Sequence, residues 1–262
     1  MSGTTRYDHT AVLTLALDTT TKAGSVAVMR GAQLLAVMHG DATRTHGERL
    51  PGEIERALLA AGTTPGELQL LAVATGPGAF TGLRIGLAAM QGLAMVVGCP
   101  VVGVSALDAL AAAALEDADP MVLAVAPWMD AQRGEVFAAL YRRDQQDGGP
   151  PQALSDPVVG TPAAVLGMMP ADLAGRTRFV GDGARRYRAD LASYSATPQD
   201  GEGDRPLAPF VARIGQQLAA YGHAGPPHAL QPLYVRRSDA ELERARRSST
   251  PVLPPTPWRE EL

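Results

Sequence analysis

Leu70-Leu71-Ala72-Val73-Ala74-Thr75-Gly76-Pro77-Gly78-Ala79-Phe80-Thr81-Gly82-Leu83-Arg84-Ile85-Gly86 opens as an uncharged apolar run, breaks on glycine and proline, and resumes as a helix. Residues 70–75 read as a buried strand, and apolar residues recur at helical spacing over about 81–97. A glycine turn between a strand and a helix often offers helix amides to a phosphate. Here the fit to phosphate loops fails in detail. A P-loop places Lys and Ser or Thr directly after its last glycine, whereas Leu83 and Arg84 follow Gly82. The spacing Gly76-x-Gly78-x-x-x-Gly82 also misses the dinucleotide fingerprint by one residue.

Upstream, the apolar run 12–17 is closed by Asp18-Thr19-Thr20-Thr21, and runs at 25–29 and 34–38 follow around Arg30-Gly31. Together they predict a three-stranded antiparallel meander. Thr45-His46-Gly47-Glu48 has the form of a capping box. Leu50, Ile54, Ala57, Leu58 and Ala61 then keep helical spacing as far as Gly62, while Pro51 implies a kink or a later start. Downstream, 100–104 reads as a strand and Ser105 as the cap of an alanine-rich helix to Leu115. The order is β-β-β-α-β-α with an extra β-α at its end.

The second half is a looser echo. Strands are expected at 121–126, 135–141 and 153–159, with a turn region at 145–151. Thr161 caps a short helix, 178–180 forms a strand, and a last helix runs from Pro209, a residue suited to a first helical turn, to Ala220. Asp18 and Asp130 follow the first strand of each half. Two such units in tandem are the layout of the actin-like and sugar-kinase superfamily (ASKHA, ribonuclease H-like). The expected fold class is therefore α/β, a duplicated β-β-β-α-β-α fold in two lobes. Residues 1–117 would form an N-terminal actin-like lobe carrying the interaction helices and 118–237 a C-terminal lobe. Residues 238–262, with Pro251, Pro254, Pro255 and Pro257, read as a disordered tail.

Composition sets outer limits. The 262 residues are 46% apolar and 19% charged, enough for a sizeable core, and with 5% aromatics that core must rest on Ala, Val and Leu. A net charge of −4 argues against coating nucleic acid by bulk charge. The single cysteine, Cys99, rules out an intrachain disulfide framework and reads as a small buried hydrophobe. No secretory signal and no apolar run near ~20 residues are visible, so a cytoplasmic protein without membrane contact is expected.

The helix after the glycine turn is unusual. A mid-helix glycine costs about 1 kcal/mol relative to alanine, yet Gly86 and Gly92 both lie inside it. Gly82, Gly86, Ala88, Ala89 and Gly92 leave much of its surface bare, beside Ile85, Leu87, Met90 and Leu93. Apolar character around most of the circumference implies burial on two sides, one against its own sheet and one against a helix of another chain.

The eleven residues Gly76 to Gly86 resemble the signature of the TsaB (YeaZ) family. Asp18-Thr19-Thr20, His46-x-Glu48-Arg49-Leu50, Asp130-Ala131-Gln132-Arg133-Gly134-Glu135-Val136 and Pro232-Leu233-Tyr234-Val235-Arg236 are similar to its other segments, over about 13–237. The resemblance implies an actin-like fold and a non-catalytic scaffold subunit. Such a subunit supports the catalytic paralogue TsaD, together with the ATPase TsaE, in making N6-threonylcarbamoyladenosine at tRNA position 37. It also implies a homodimer when the chain is alone, and pairing through the helices at 46–61 and 81–97. The candidate partner interface is His46, Leu50, Ile54, Leu58, Gly82, Arg84, Ile85, Gly86, Ala89, Met90 and Leu93. On this reading Gly86→Leu leaves the monomer folded and abolishes binding. No cofactor of its own is expected; ATP or ADP is admitted at the partner interface.

Independent chemistry is thin. The catalytic paralogue carries a His-x-x-x-His pair, but four residues after His46 stands Leu50, and His9, His39, His223 and His228 lack ligand spacing. That disfavours the superfamily's older label of peptidase. The alternative is an autonomous actin-like ATPase or kinase, with Asp18, Thr19 and Thr20 as nucleotide contacts, since carboxylates after the first strands suit Mg²⁺-bound phosphate. That loop lacks a glycine for close approach, and Lys22 reads as a solvated turn residue. Arg236, Arg237, Arg244, Arg246 and Arg247 could meet tRNA, although Asp239, Glu241 and Glu243 interleave them.

Overall fold

The computed structural model describes residues 11–116, 118, 122–142, 151–191, 194 and 205–236. Its elements are β1 (Leu13–Asp18), β2 (Ser25–Arg30), β3 (Gln33–His39), α1 (His46–Ala60), β4 (Leu70–Gly76), α2 (Phe80–Val97), β5 (Val101–Ser105) and α3 (Ala106–Glu116). There follow β6 (Ala124–Asp130), β7 (Val136–Ala138), β8 (Tyr141–Arg142), β9 (Gln152–Ala153), β10 (Val158–Gly160) and α4 (Pro162–Leu166). The last are β11 (Thr177–Val180), α5 (Asp182–Arg186), α6 (Arg188–Leu191) and α7 (Ala208–Ala220).

The chain divides into two compact units, residues 1–113 with 203–233 and residues 114–202 with 234–262. In the first, five strands lie in the order β3-β2-β1-β4-β5. β1, β2 and β3 form the expected antiparallel meander, and β4 and β5 add in parallel. Side chains on a strand alternate between faces, and this decides what covers each side. Leu13, Leu15, Leu17, Leu71 and Val73 meet α1 and α2 through Leu50, Leu58, Leu83, Leu87 and Met90. Ala16, Ala27, Ala72, Val102 and Val104 meet Ala109 of α3 and Phe210, Val211 and Ile214 of α7. This second face is rich in alanine because α7 lies close: a Cβ on Gly215 would stand 2.7 Å from that of Ala72.

The lobe boundary therefore needs correction. Residues 118–237 were expected to form one lobe ending in a helix, but α7 belongs with the first unit. Its amphipathic face, led by Phe210, Val211 and Ile214, completes the first sheet's second layer.

In the second unit β6 pairs antiparallel with β7 and parallel with β11, as β1 pairs with β2 and β4. β10 lies outside β7, as β3 lies outside β2. The expected strands at 135–141 and 153–159 are each broken in two. Between the halves, the Leu140 N–H donates to Ser155 Oγ at 3.1 Å and the Leu154 N–H to the Leu140 carbonyl at 2.8 Å. Thr161 caps α4, accepting from the Ala164 N–H. α1 begins at His46 and runs through Pro51, whose side chain is exposed. The stretches at 145–150 and 238–262, and the start of the strand expected at 121, lie outside the described residues.

α2 is long and apolar enough to cross a membrane by length and composition. Its Leu83, Leu87, Met90 and Ala94 are instead buried against β1 and β4.

Candidate functional site

The glycine block meets its own chain. Gly78, Gly82 and Gly86 recur every four residues, and all three abut the loop between β1 and β2. A Cβ on Gly78 would lie 2.6 Å from Thr20 Cβ, on Gly82 2.5 Å from the Thr19 carbonyl oxygen, and on Gly86 2.1 Å from Thr19 Oγ1. Gly82 and Gly86 are therefore buried inside the first unit, not bared for another chain. Leu50, Leu58 and Met90 are core residues as well. These five expected interface residues are corrected to interior ones, for the same reason: the bare and bulky sides of both helices close the unit itself.

The loop that α2 presses upon is tightly tied. Asp18, Thr19 and Thr20 are buried. Asp18 Oδ1 accepts from the Thr20 amide at 2.8 Å and the Thr20 hydroxyl at 2.5 Å, and Oδ2 accepts from the Thr21 hydroxyl at 2.8 Å. The carboxylate thus shapes its own turn, an Asx-type closure. Thr21 Oγ1 in turn accepts from the Gly24 amide.

Beside the loop stands a cluster from α1 in which Arg49 and Glu53 are buried and His46 is half-buried. Arg49 Nη1 donates to both oxygens of Glu53, at 2.7 and 2.8 Å, and both residues are 4% exposed. Arg49 Nη2 donates to the Ala23 carbonyl, to the Lys22 carbonyl at 3.3 Å, and to His46 Nδ1 at 2.8 Å. A guanidinium only donates, so His46 Nδ1 is the acceptor and its proton sits on Nε2, which donates to the Thr21 carbonyl at 3.1 Å. Burial first, and then the Arg49 charge, hold the His46 imidazole below the ordinary histidine range. The ring is also walled by glycines, since a Cβ on Gly24 would stand 2.8 Å from its Cε1 and one on Gly82 3.0 Å from its Cδ2. The cluster thus ties α1 to the loop through one histidine that accepts at Nδ1 and one buried ion pair, with Gly82 of α2 beside the ring.

The outer side of the two helices is different. Ile54, Ile85, Ala89 and Leu93 are half-buried at its margin. Arg84 is exposed, its guanidinium 3.9 Å over the Phe80 ring. Beyond them Ala88, Gly92, Met95 and Val96 form an exposed stripe at helical spacing, with Met95 76% and Val96 86% accessible. Nothing lies within 4 Å of a Cβ built on Gly92. Leu59 on α1 is 78% exposed. Sequence reasoning missed Met95, Val96 and Leu59 on the surface and Arg49 and Glu53 in the interior. The Arg49/Glu53 pair had a visible signal in its i,i+4 spacing on an otherwise apolar face.

At the matching place in the second unit, Asp130 accepts from the Gln132 amide and side chain and from Arg186 Nη1. The turn after it holds Gln132 and Arg133 at positive φ, and Arg236 bonds the Ala131 carbonyl and Glu135. Cys99 is buried, which pushes its thiol up. Among the described residues no three His, Cys, Asp or Glu side chains gather to hold a metal ion.

The family described as TsaD, tRNA N6-adenosine threonylcarbamoyltransferase, matches residues 37–180. The chain is 32% identical over 232 residues to the tRNA threonylcarbamoyladenosine biosynthesis protein TsaB of Escherichia coli, covering 86% of this chain and 95% of that one. It is 37% identical over 133 residues to the protein of the same name from Haemophilus influenzae, covering 50% of this chain and 54% of that one. Two solved structures from Pseudomonas aeruginosa share its fold. One, described as similar to peptidase YeaZ, superposes with a TM-score of 0.74 at 28% identity over 86% of this chain and all of that one. YeaZ itself gives 0.71 at 28% identity, over 85% and 99%.

Proposed function

Because the chain belongs to the TsaB (YeaZ) family of tRNA threonylcarbamoyladenosine biosynthesis proteins, we propose that it works there as a non-catalytic scaffold whose α1–α2 face carries a TsaD-like catalytic paralogue. The carrying observation is the stripe Ala88, Gly92, Met95 and Val96, large apolar side chains left in water beside an open glycine. Exposed apolar patches of this kind mark interaction sites, and the glycine lets a second helix come close. Ile54, Ile85, Ala89 and Leu93 are half-buried against the core beneath the two helices, and Leu59 is exposed on α1. A TsaE-like ATPase joins the assembly, and a second copy of the chain occupies the face when no paralogue is present. The Asp18 loop supports this reading over an autonomous ATPase or kinase, since Thr20 and Thr21 already occupy its carboxylate oxygens.

The test is Val96→Glu, a substitution at an exposed site that leaves the core untouched. It should keep the urea midpoint of the isolated chain and lower affinity for the TsaD-like partner at least tenfold, with a parallel loss of threonylcarbamoyl transfer in a reconstituted system. Unchanged affinity in the folded variant, or transfer indifferent to the presence of the protein, would sink the scaffold reading.

A further inference from the structure

The His46–Arg49–Glu53 cluster of α1 has a feature that packing alone does not require. His46 lies where α1, α2 and the β1–β2 loop converge, and each ring nitrogen has one fixed role. Nδ1 must be an acceptor, because Arg49 Nη2 donates to it at 2.8 Å, and Nε2–H donates to the Thr21 carbonyl. We propose that His46 is a proton-sensitive latch: adding a proton at Nδ1 releases Arg49 from the ring and loosens the α1–α2 face on which the partner docks.

The balance of the step is simple. Neutral His46 takes one proton from water on Nδ1, and the Arg49 Nη2–H···Nδ1 bond is replaced by two facing N–H groups on two cations. The charged groups around the ring are Arg49 and Glu53 from α1 and Asp18 from β1; from α2 the residue in contact is Gly82. Neither carboxylate is placed to take up the new charge directly. Glu53 is bidentate on Arg49 Nη1, and Asp18 accepts from Thr20 and Thr21. Turning the half-buried ring away from Arg49 would give up the Nε2–H bond to the Thr21 carbonyl. With both ring nitrogens tied across α1 and the loop, relief comes from separating α1 from the loop and from Gly82 of α2 beside it. Gly82 stands on the same helix as Ala88, Gly92, Met95 and Val96, so this separation shifts the docking stripe relative to α1.

The direction follows from linkage. The His46 pKa is below the ordinary value of about 6.5 in the folded chain, so the unfolded chain binds more protons just below that pH. Stability contributed by neutral His46 is full above about pH 6.5 and is lost as pH falls through the folded value.

The latch can be tested on the isolated chain, and its effect on docking rests on the scaffold reading above. His46→Asn keeps an acceptor for Arg49 without titrating near neutral pH. Wild type should lose urea resistance as pH falls below about 6.5, levelling off once a single histidine has titrated in the imidazole nitrogen NMR spectrum of the folded chain, and bind the TsaD-like partner about tenfold more weakly below that titration than at about pH 7.5. His46→Asn should show a flatter response in both. An equal pH response in wild type and folded His46→Asn, or a His46 resonance titrating at or above the ordinary value, overturns the latch. If the His46→Asn variant fails to fold, the NMR titration of wild type decides. Absence of partner binding at pH 7.5 would count against the scaffold reading alone, because the urea and NMR measurements use the chain by itself.

Discussion

Arg49 shows how one residue's environment decides its role. Its guanidinium and the Glu53 carboxylate are both almost fully removed from water, with side chains 3% and 6% exposed. Exposed i,i+4 pairs contribute a few tenths of a kcal/mol, but breaking a buried pair leaves an uncompensated charge and costs about 3–5 kcal/mol. Glu53→Ala should therefore destabilise the chain by about that amount in urea denaturation, while Glu55→Ala, exposed on the same helix, should change stability by less than about 0.5 kcal/mol. A similar small effect for both would mean that water reaches the pair. The spacing of Arg49 and Glu53 is legible in the sequence, and the burial is not. Burial depends on Ala23 and Gly40 arriving beside the meander, and a Cβ on Gly40 would stand 1.7 Å from Arg49 Nη1. The same limit applies to Asp18: its place at the end of a strand is readable, but its use by Thr20 and Thr21 appears only once the turn is formed.

Helix α2 concentrates what periodicity can and cannot reveal. Its extent, its apolar character and the strand before it follow from residue spacing. The meaning of its glycines does not, because a glycine facing its own loop and one facing open space look alike in sequence. Gly86 is of the first kind and Gly92 of the second. Gly86→Ala should destabilise by about 1–3 kcal/mol, since its methyl would overlap the buried Thr19 side chain. Gly92→Ala should stabilise the isolated chain by about 0.5–1 kcal/mol through reduced backbone freedom in the unfolded state. Urea midpoints of the two variants decide this, and a Gly86→Ala chain as stable as wild type would show that the loop yields without cost. The expected Gly86→Leu test of binding loses its force for the same reason, and Val96 takes its place. Short elements were harder to read: α5 and α6 hold five and four residues, too few to repeat a helical period.

At the scale of the molecule, neighbours in space are not always neighbours along the chain. The first sheet is built from residues 13–105, but the layer over its alanine-rich face is finished by α7, about a hundred residues later. Sequence could show that α7 is amphipathic, not which sheet it would cover, because helical periodicity carries no address. The face α7 covers is large in energetic terms. Leu207, Phe210, Val211 and Ile214 are all buried there, and at about 1.5–3 kcal/mol each their burial is worth about 6–12 kcal/mol, comparable to the whole net stability of a domain. Two polar bonds add to it: the Ala208 amide donates to Ser25 Oγ, and Gln216 Nε2 to Thr14 Oγ1, both at 3.0 Å in the interior. A chain ended at Glu202 should therefore lose its cooperative urea transition and bind a hydrophobic dye, although it contains every strand of both sheets. A chain ended at Arg236 should keep the transition, because α7 and the segment whose Leu233 amide donates to the Thr75 carbonyl are retained. A cooperative, dye-silent chain ending at Glu202 would show that the first unit closes without α7, and the assignment of that helix would then have to be abandoned.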